Sequence, residues 1–119
     1  MNSLFPVMLG GALGAGLRYG TGLIFAGRFP WATLSVNLLG GFLMGLIMAF
    51  VLKGNASESV RLFVGVGILG GFTTFSAFSL ELWQMMERGQ ICMALGYALV
   101  SVIGSVFLLA AGLSLGKAI

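Results

Sequence analysis

Four long apolar runs occupy almost all of this 119-residue chain. They cover about residues 4–25, 32–52, 60–86 and 91–115, parted by short polar connections. A helix rises about 1.5 Å per residue and a bilayer core is about 30 Å thick, so roughly 20 apolar residues make one crossing. Runs of this length leave almost nothing for a soluble domain. Only 8% of the residues are charged, against about 25% in a soluble protein. The expectation is an all-α membrane protein, a single domain over residues 1–119 with four transmembrane helices.

The same composition excludes several kinds of chemistry. There is no histidine, and the single cysteine, Cys92, has no partner for an internal disulfide. A transition-metal site therefore lacks its usual ligands. Cys92 lies in the fourth run and reads as a small buried hydrophobe. The net charge of +3 is scattered, with no basic stretch for nucleic acid. No nucleophile–base constellation supports an enzyme. The N-terminus lacks a basic region and its apolar run is too long for a signal peptide.

The third run contains Gly70-Gly71-Phe72-Thr73-Thr74-Phe75-Ser76-Ala77-Phe78-Ser79-Leu80-Glu81. Paired glycine followed by threonine is a poor helix interior, so the third helix should break there, near the membrane midplane. Irregular backbone at that depth is tolerated where protein buries it or a watery cavity adjoins it. Broken helices are where membrane proteins place ion and substrate sites. Phe75 and Phe78 are three apart and share a face, with Ser76 and Ser79 in a neighbouring polar stripe and Glu81 one turn beyond Phe78. Aromatic stripes at this spacing usually pack a core. Beside a polar break, their positive ring edges can instead hold a small anion.

The first run carries small residues at four-residue spacing: Gly10 with Gly14, Gly11 with Ala15, Gly16 with Gly20. These allow a neighbouring backbone to approach closely. Arg18 either snorkels to the interface, or pairs within the protein, or faces an aqueous vestibule that attracts anions. In the second run Gly41 and Gly45 form another small pair. Asn37 reads first as interhelical glue, and its amide can also donate to an anion. Tyr97, Ser101 and Ser105 lie on the fourth run. Ser101 and Ser105 share a face and form either back-bonds to their own helix or a hydroxyl track.

Four crossings put both termini on one side, with Lys53, Arg61 and Lys117. The other side holds Arg28 and Arg88, with Arg18 near that end. The positive-inside bias is close to absent, so the chain can insert both ways. Four helices are few to enclose a polar path, which calls for a second copy. Two copies in opposite orientation make an antiparallel homodimer, the assembled form of an inverted repeat.

These residues closely resemble the Fluc family of bacterial fluoride channels. The resemblance covers all four runs. It rests on Gly10-Gly11-Ala12-Leu13-Gly14-Ala15-Gly16-Leu17-Arg18-Tyr19, on Thr33-Leu34-Ser35-Val36-Asn37-Leu38-Leu39-Gly40 and on the Gly70–Glu81 stretch. Ala77 stands where the family pattern expects threonine. The resemblance implies a dual-topology homodimer with two pores in the bacterial inner membrane, a multi-pass protein that exports fluoride passively and confers fluoride resistance. It implies a sodium ion at the dimer centre, held by backbone carbonyls of Gly70 and Thr73; carbonyl oxygen suits a hard cation. It assigns Asn37, Phe75, Phe78, Ser76, Ser79, Tyr97, Ser101 and Ser105 to the fluoride path. Arg18 and Glu81 take vestibule or structural roles. The alternative is a small proton-coupled multidrug exporter, which needs an intramembrane carboxylate. The first run offers none, and Glu81 lies off-centre.

Overall fold

The computed structural model describes residues 3–25, 27 and 29–119. Helix α1 spans Leu4–Ile24 and α2 spans Trp31–Leu52. Residues 58–72 form α3. It opens with one α-turn, Glu58–Val60, widens into a π-helical stretch, Arg61–Leu69, and returns to α-geometry at Gly70–Phe72. Helical backbone resumes in α4, Ser76–Glu87, and α5 spans Ile91–Ala118, past the expected end near residue 115. Three stretches, Trp31–Leu52, Glu58–Glu87 and Ile91–Ala118, are long and apolar enough to cross a membrane. At 21 residues α1 is long enough, but Arg18, Tyr19 and its glycines dilute its apolar character. The chain is a multi-pass membrane protein.

The connections follow from local chemistry. At the end of α2 the Asn55 N–H reaches the Phe50 carbonyl at 2.9 Å and the Gly54 N–H reaches Val51 at 3.1 Å. The end of α4 repeats the pattern, with Gln90 to Met85 at 2.9 Å and Gly89 to Met86 at 3.0 Å. This double closure needs a left-handed residue at its corner. Gly54 (φ 78°) and Gly89 (φ 77°) supply it without a Cβ penalty. Ser57 caps α3 by accepting the Val60 N–H at 3.2 Å. Arg28, counted above in the charge balance, lies outside the described residues.

Glycine sets the helix packing. In α1, a Cβ at Gly10 would lie 2.6 Å from the Phe63 carbonyl oxygen, and one at Gly14 would collide with that of Ile68. Across the contact, a Cβ at Gly71 would strike the Gly11 carbonyl. The two backbones thus touch directly, along the π-helical stretch and the turn after it. On the other side Gly41 and Gly45 of α2 meet the Ser105 and Leu109 carbonyls of α5, and Gly112 of α5 meets Phe42. The third small pair of α1 behaves differently: Gly16 and Gly20 have open space around them. Leu34, Phe78, Met85, Ala94 and Tyr97 form the side-chain core, joining α2, α4 and α5. Cys92 is exposed on the first turn of α5 rather than buried, because it points away from the face on which Ala94 and Tyr97 join this core.

This packing has a testable sign. Gly14→Ala forces a methyl into a carbonyl and should cost about 1–3 kcal/mol, the range for overpacking. Gly16→Ala meets nothing and should be neutral or gain up to about 1 kcal/mol from helix propensity. Thermal unfolding of the purified protein in detergent measures both. Equal midpoints for the two variants would contradict backbone contact at Gly14.

Candidate functional site

Helical bonding stops at Phe72 because Thr73 turns to extended backbone (φ −83°, ψ 159°). Thr73 still closes onto Leu69, with its N–H and its hydroxyl both 3.0 Å from the Leu69 carbonyl. Thr74 does not continue the pattern. Its N–H donates instead to Asn37 Oδ1 at 2.8 Å, and its carbonyl accepts from Asn37 Nδ2 at 3.0 Å. The Asn37 carboxamide therefore pairs edge to edge with one residue of the interruption, as a neighbouring strand would. Thr74 also caps α4, its hydroxyl accepting the Ala77 N–H at 3.1 Å. From α1, Arg18 Nε donates to the Gly71 carbonyl at 3.1 Å. Side chains of two neighbouring helices thus take up backbone groups that the interruption releases.

Three carbonyls are left over, those of Gly70, Phe72 and Thr73; the Phe72 carbonyl loses the Ser76 N–H that a continuous helix would give it. In a continuous helix the Thr74 N–H would bond the Gly70 carbonyl and the Ala77 N–H would bond that of Thr73. Both donors are engaged elsewhere. Neither the Gly70 nor the Thr73 carbonyl accepts a hydrogen bond among the described residues.

A cavity of about 510 Å³ opens beside these carbonyls, lined in part by Asn37, Gly70, Thr73, Thr74, Phe75, Phe78, Ser101 and Ser105. Most of the predicted path residues therefore meet at one place. Their states differ. Phe78 is buried, at 6% exposed, whereas Phe75 is 76% exposed, although their ring centres are only 5.7 Å apart. Ser105 Oγ donates to the Asn37 carbonyl at 3.4 Å, a long bond. The Ser101 hydroxyl is buried and has no partner, the only such side-chain atom among the described residues. Asn37 Nδ2 carries two hydrogens and gives one to Thr74.

Ser76, Ser79 and Tyr97 line neither this cavity nor the other one described below. Ser79 bonds back to the Phe75 carbonyl at 2.9 Å, and Ser76 lies 3.5 Å from the Thr74 hydroxyl. Both serines are exposed. Tyr97 is 2% exposed, with its ring against Phe78 and Phe29. Its hydroxyl donates to Glu81 Oε1 at 2.9 Å, while Thr33 donates to Glu81 Oε2 at 2.8 Å. Glu81 is thus gripped by a hydroxyl on each oxygen. Thr33 is a site residue that sequence reasoning missed. Its position one helical turn before Asn37, on the same face, was the available signal.

Glu81 and Arg18 line a second cavity, of about 370 Å³, with Thr33, Ala77, Phe29, Trp31 and Thr74. Arg18 is tied to Gly71 by Nε alone; its terminal nitrogens form no hydrogen bond among the described residues. Ala77 faces this cavity and not the one holding Phe75 and Phe78. Thr74 borders both.

An interrupted apolar helix, with its freed backbone held by neighbouring side chains beside a hydroxyl-lined cavity, defines a membrane protein organised around an internal polar site. This is the architecture of channels and transporters. The family model described as CrcB-like protein, Camphor Resistance (CrcB), matches residues 5–113. A protein of Sphingopyxis alaskensis named fluoride-specific ion channel FluC is 52% identical, covering 97% of this chain and 95% of its own. Proteins of the same name from Mesorhizobium japonicum and Thermus thermophilus are 45% and 48% identical, covering 100% of this chain and 99% and 98% of their own. The chain belongs to the CrcB family.

The hydroxyl grip on Glu81 can be measured. Removing one donor by Thr33→Val or Tyr97→Phe leaves a part-buried carboxylate oxygen unsatisfied, at about 1–3 kcal/mol each. In a Glu81→Gln background each loss should shrink, because a neutral amide is cheaper to leave unpaired. A double-mutant cycle on thermal unfolding reads the difference. Costs that are unchanged in the Gln background would show that the hydroxyls do not act on the carboxylate charge.

Proposed function

We propose that this chain is a fluoride-selective channel that lets fluoride leave the cell passively, and thereby confers fluoride resistance. The observation that carries the reading is similarity over the full length of both chains to proteins named fluoride-specific ion channel. Camphor resistance, by which the family is described, names a phenotype and no chemistry.

The cavity chemistry supports it. Fluoride is small and holds its water tightly, so a pathway has to replace that water with close donors. Ser101 Oγ is an uncommitted hydroxyl and Ser105 is weakly committed. The Phe75 and Phe78 rings offer positive edges beside these donors. Such a set strips and re-coordinates the ion stepwise. A larger halide, which binds its water less tightly and needs more room, gains less. Transport follows the ion's gradient and needs no covalent chemistry. At the far side of Thr74, the second cavity carries the Arg18 guanidinium and the Glu81 carboxylate, of which Arg18 is the group that attracts an anion.

The interruption at 73–75 is read as lying near the membrane midplane of an antiparallel, dual-topology homodimer with two pores in the bacterial inner membrane. Exposed apolar residues along α1 and α5, such as Leu13, Leu17, Ile103 and Phe107, leave ample surface for lipid and a second copy. Two of the released carbonyls, on residues that border the larger cavity, fit a sodium ion. Gly70 and Thr73 would hold it, because neutral carbonyl oxygens without a hydrogen-bond donor suit a hard monovalent cation. When bound, such an ion supplies fixed positive charge near the two cavities. The exporter alternative gains no support: its one candidate carboxylate, Glu81, is held by two hydroxyls.

Purified protein in liposomes tests the reading, with fluoride- and chloride-sensitive electrodes outside. Fluoride should leave rapidly and chloride should stay. Phe75→Ile, which keeps bulk but removes the ring edge, should slow fluoride release by at least about tenfold, a loss of about 1.4 kcal/mol of transition-state stabilisation. Folded protein that releases no fluoride, or both halides alike, would rule the channel reading out. Replacing sodium by a bulky organic cation should lower the melting midpoint; an unchanged midpoint would remove the sodium from the scheme.

A further inference from the structure

We infer that Asn37 is a positioning residue, and that its main work is to hold the interruption in the third helical segment rather than to touch the permeating ion. The argument rests on where one N–H goes. Residues Gly70–Phe72 are helical, and the Thr74 N–H stands where the next helical bond onto the Gly70 carbonyl would form. Asn37 Oδ1 takes that N–H at 2.8 Å. The same carboxamide donates to the Thr74 carbonyl at 3.0 Å. Two bonds to one residue's backbone fix its orientation, and with it the extended turn at Thr73. The Gly70 carbonyl is released as a direct consequence.

Neighbouring contacts do not perform this job. Arg18 holds the Gly71 carbonyl, further back towards Gly70 than any group Asn37 touches. The Thr74 hydroxyl caps α4 and leaves its own N–H and carbonyl untouched. Ser105 donates to the Asn37 backbone carbonyl, which positions α2 against α5 and not the interruption. Asn37 is half-buried on α2, and α2 is seated by the Gly41 and Gly45 contacts to α5. The clamp is therefore mounted on a rigid pair of helices.

The sodium part of this inference rests on the channel reading above; the backbone part does not. The test uses full-length protein labelled with ¹⁵N-threonine, which gives four amide signals, from Thr21, Thr33, Thr73 and Thr74. In wild type the Thr74 amide should exchange slowly with deuterium. In Asn37→Ala it should exchange about tenfold faster or more, the loss of one net hydrogen bond of ordinary strength, while Thr33 is unmoved. Asn37→Asp keeps an acceptor oxygen and should retain most of the Thr74 protection, although its charge opposes anion flux. Sodium should shift the Thr73 and Thr74 signals in wild type and Asn37→Asp and not in Asn37→Ala. If Asn37→Ala slows fluoride release yet leaves Thr74 exchange and the sodium response at wild-type values, Asn37 acts on the anion and the inference fails. A wild type without any sodium response, but with Thr74 exchange dependent on Asn37, removes the sodium reading and leaves the clamp standing.

Discussion

An apolar surrounding supplies no hydrogen bonds, and every part of this fold answers to that constraint. A helix satisfies its own backbone. An interrupted one cannot, and each released N–H or C=O costs free energy unless something nearby replaces water. Here the replacements come from chosen side chains. Asn37 serves both the N–H and the carbonyl of Thr74, Arg18 serves the carbonyl of Gly71, and Thr74 closes the start of α4 with its own hydroxyl. Three carbonyls are left without a donor, and two of their residues, Gly70 and Thr73, border the larger cavity. Polar function in such a molecule is what remains after the structural demands on its polar groups have been met.

Those side chains reach the interruption only because the helices lie unusually close. Lipid tails are as apolar as leucine, so helices in a membrane gain little by hiding leucines from them. Close backbone contact takes over that role. Gly10, Gly11 and Gly14 let α1 settle on the π-helical stretch and on Gly71, which brings Arg18 within 3.1 Å of the Gly71 carbonyl. Gly41, Gly45 and Gly112 do the same between α2 and α5 and bring Ser105 to Asn37. The π-helical turns carry Gly65 and Gly67 on their buried side; Gly67 lies against the backbone of α1 at Gly10, and Gly65 faces the Met44 and Ile47 side chains of α2.

How much of this can be read from the chain alone depends on range. Apolar length marks the helical stretches, and the cluster Asn37, Phe75, Phe78, Ser101 and Ser105 is legible because polar and aromatic residues stand out in apolar runs. The cause of the interruption is less legible. Gly70-Gly71 looks like the breaking point, yet both are helical, and Gly71 serves the contact with Gly11. The turn comes later, at Thr73, where a partner 37 positions upstream of Thr74 claims the next N–H. No local pattern encodes that choice. The π-helical geometry is equally hidden, since its residues read as an ordinary apolar run. The fates of Ser76, Ser79 and Tyr97 depend on which neighbour each hydroxyl meets first: a carbonyl one turn back for Ser79, a carboxylate on another helix for Tyr97. Thr33 shares a helix face with Asn37, but that spacing does not name its partner, which is Glu81 on another helix.

Thr74 borders both cavities, and its three polar groups, N–H, carbonyl and hydroxyl, are all engaged. It is therefore a party wall. Its one branched methyl and one hydroxyl are the only parts that a substitution can alter, and each alteration is felt in two rooms at once. Any sequence drift that enlarges one chamber at this point must be tolerated by the other. The residues elsewhere on the two linings can vary independently, whereas the position they share is limited to side chains acceptable to both.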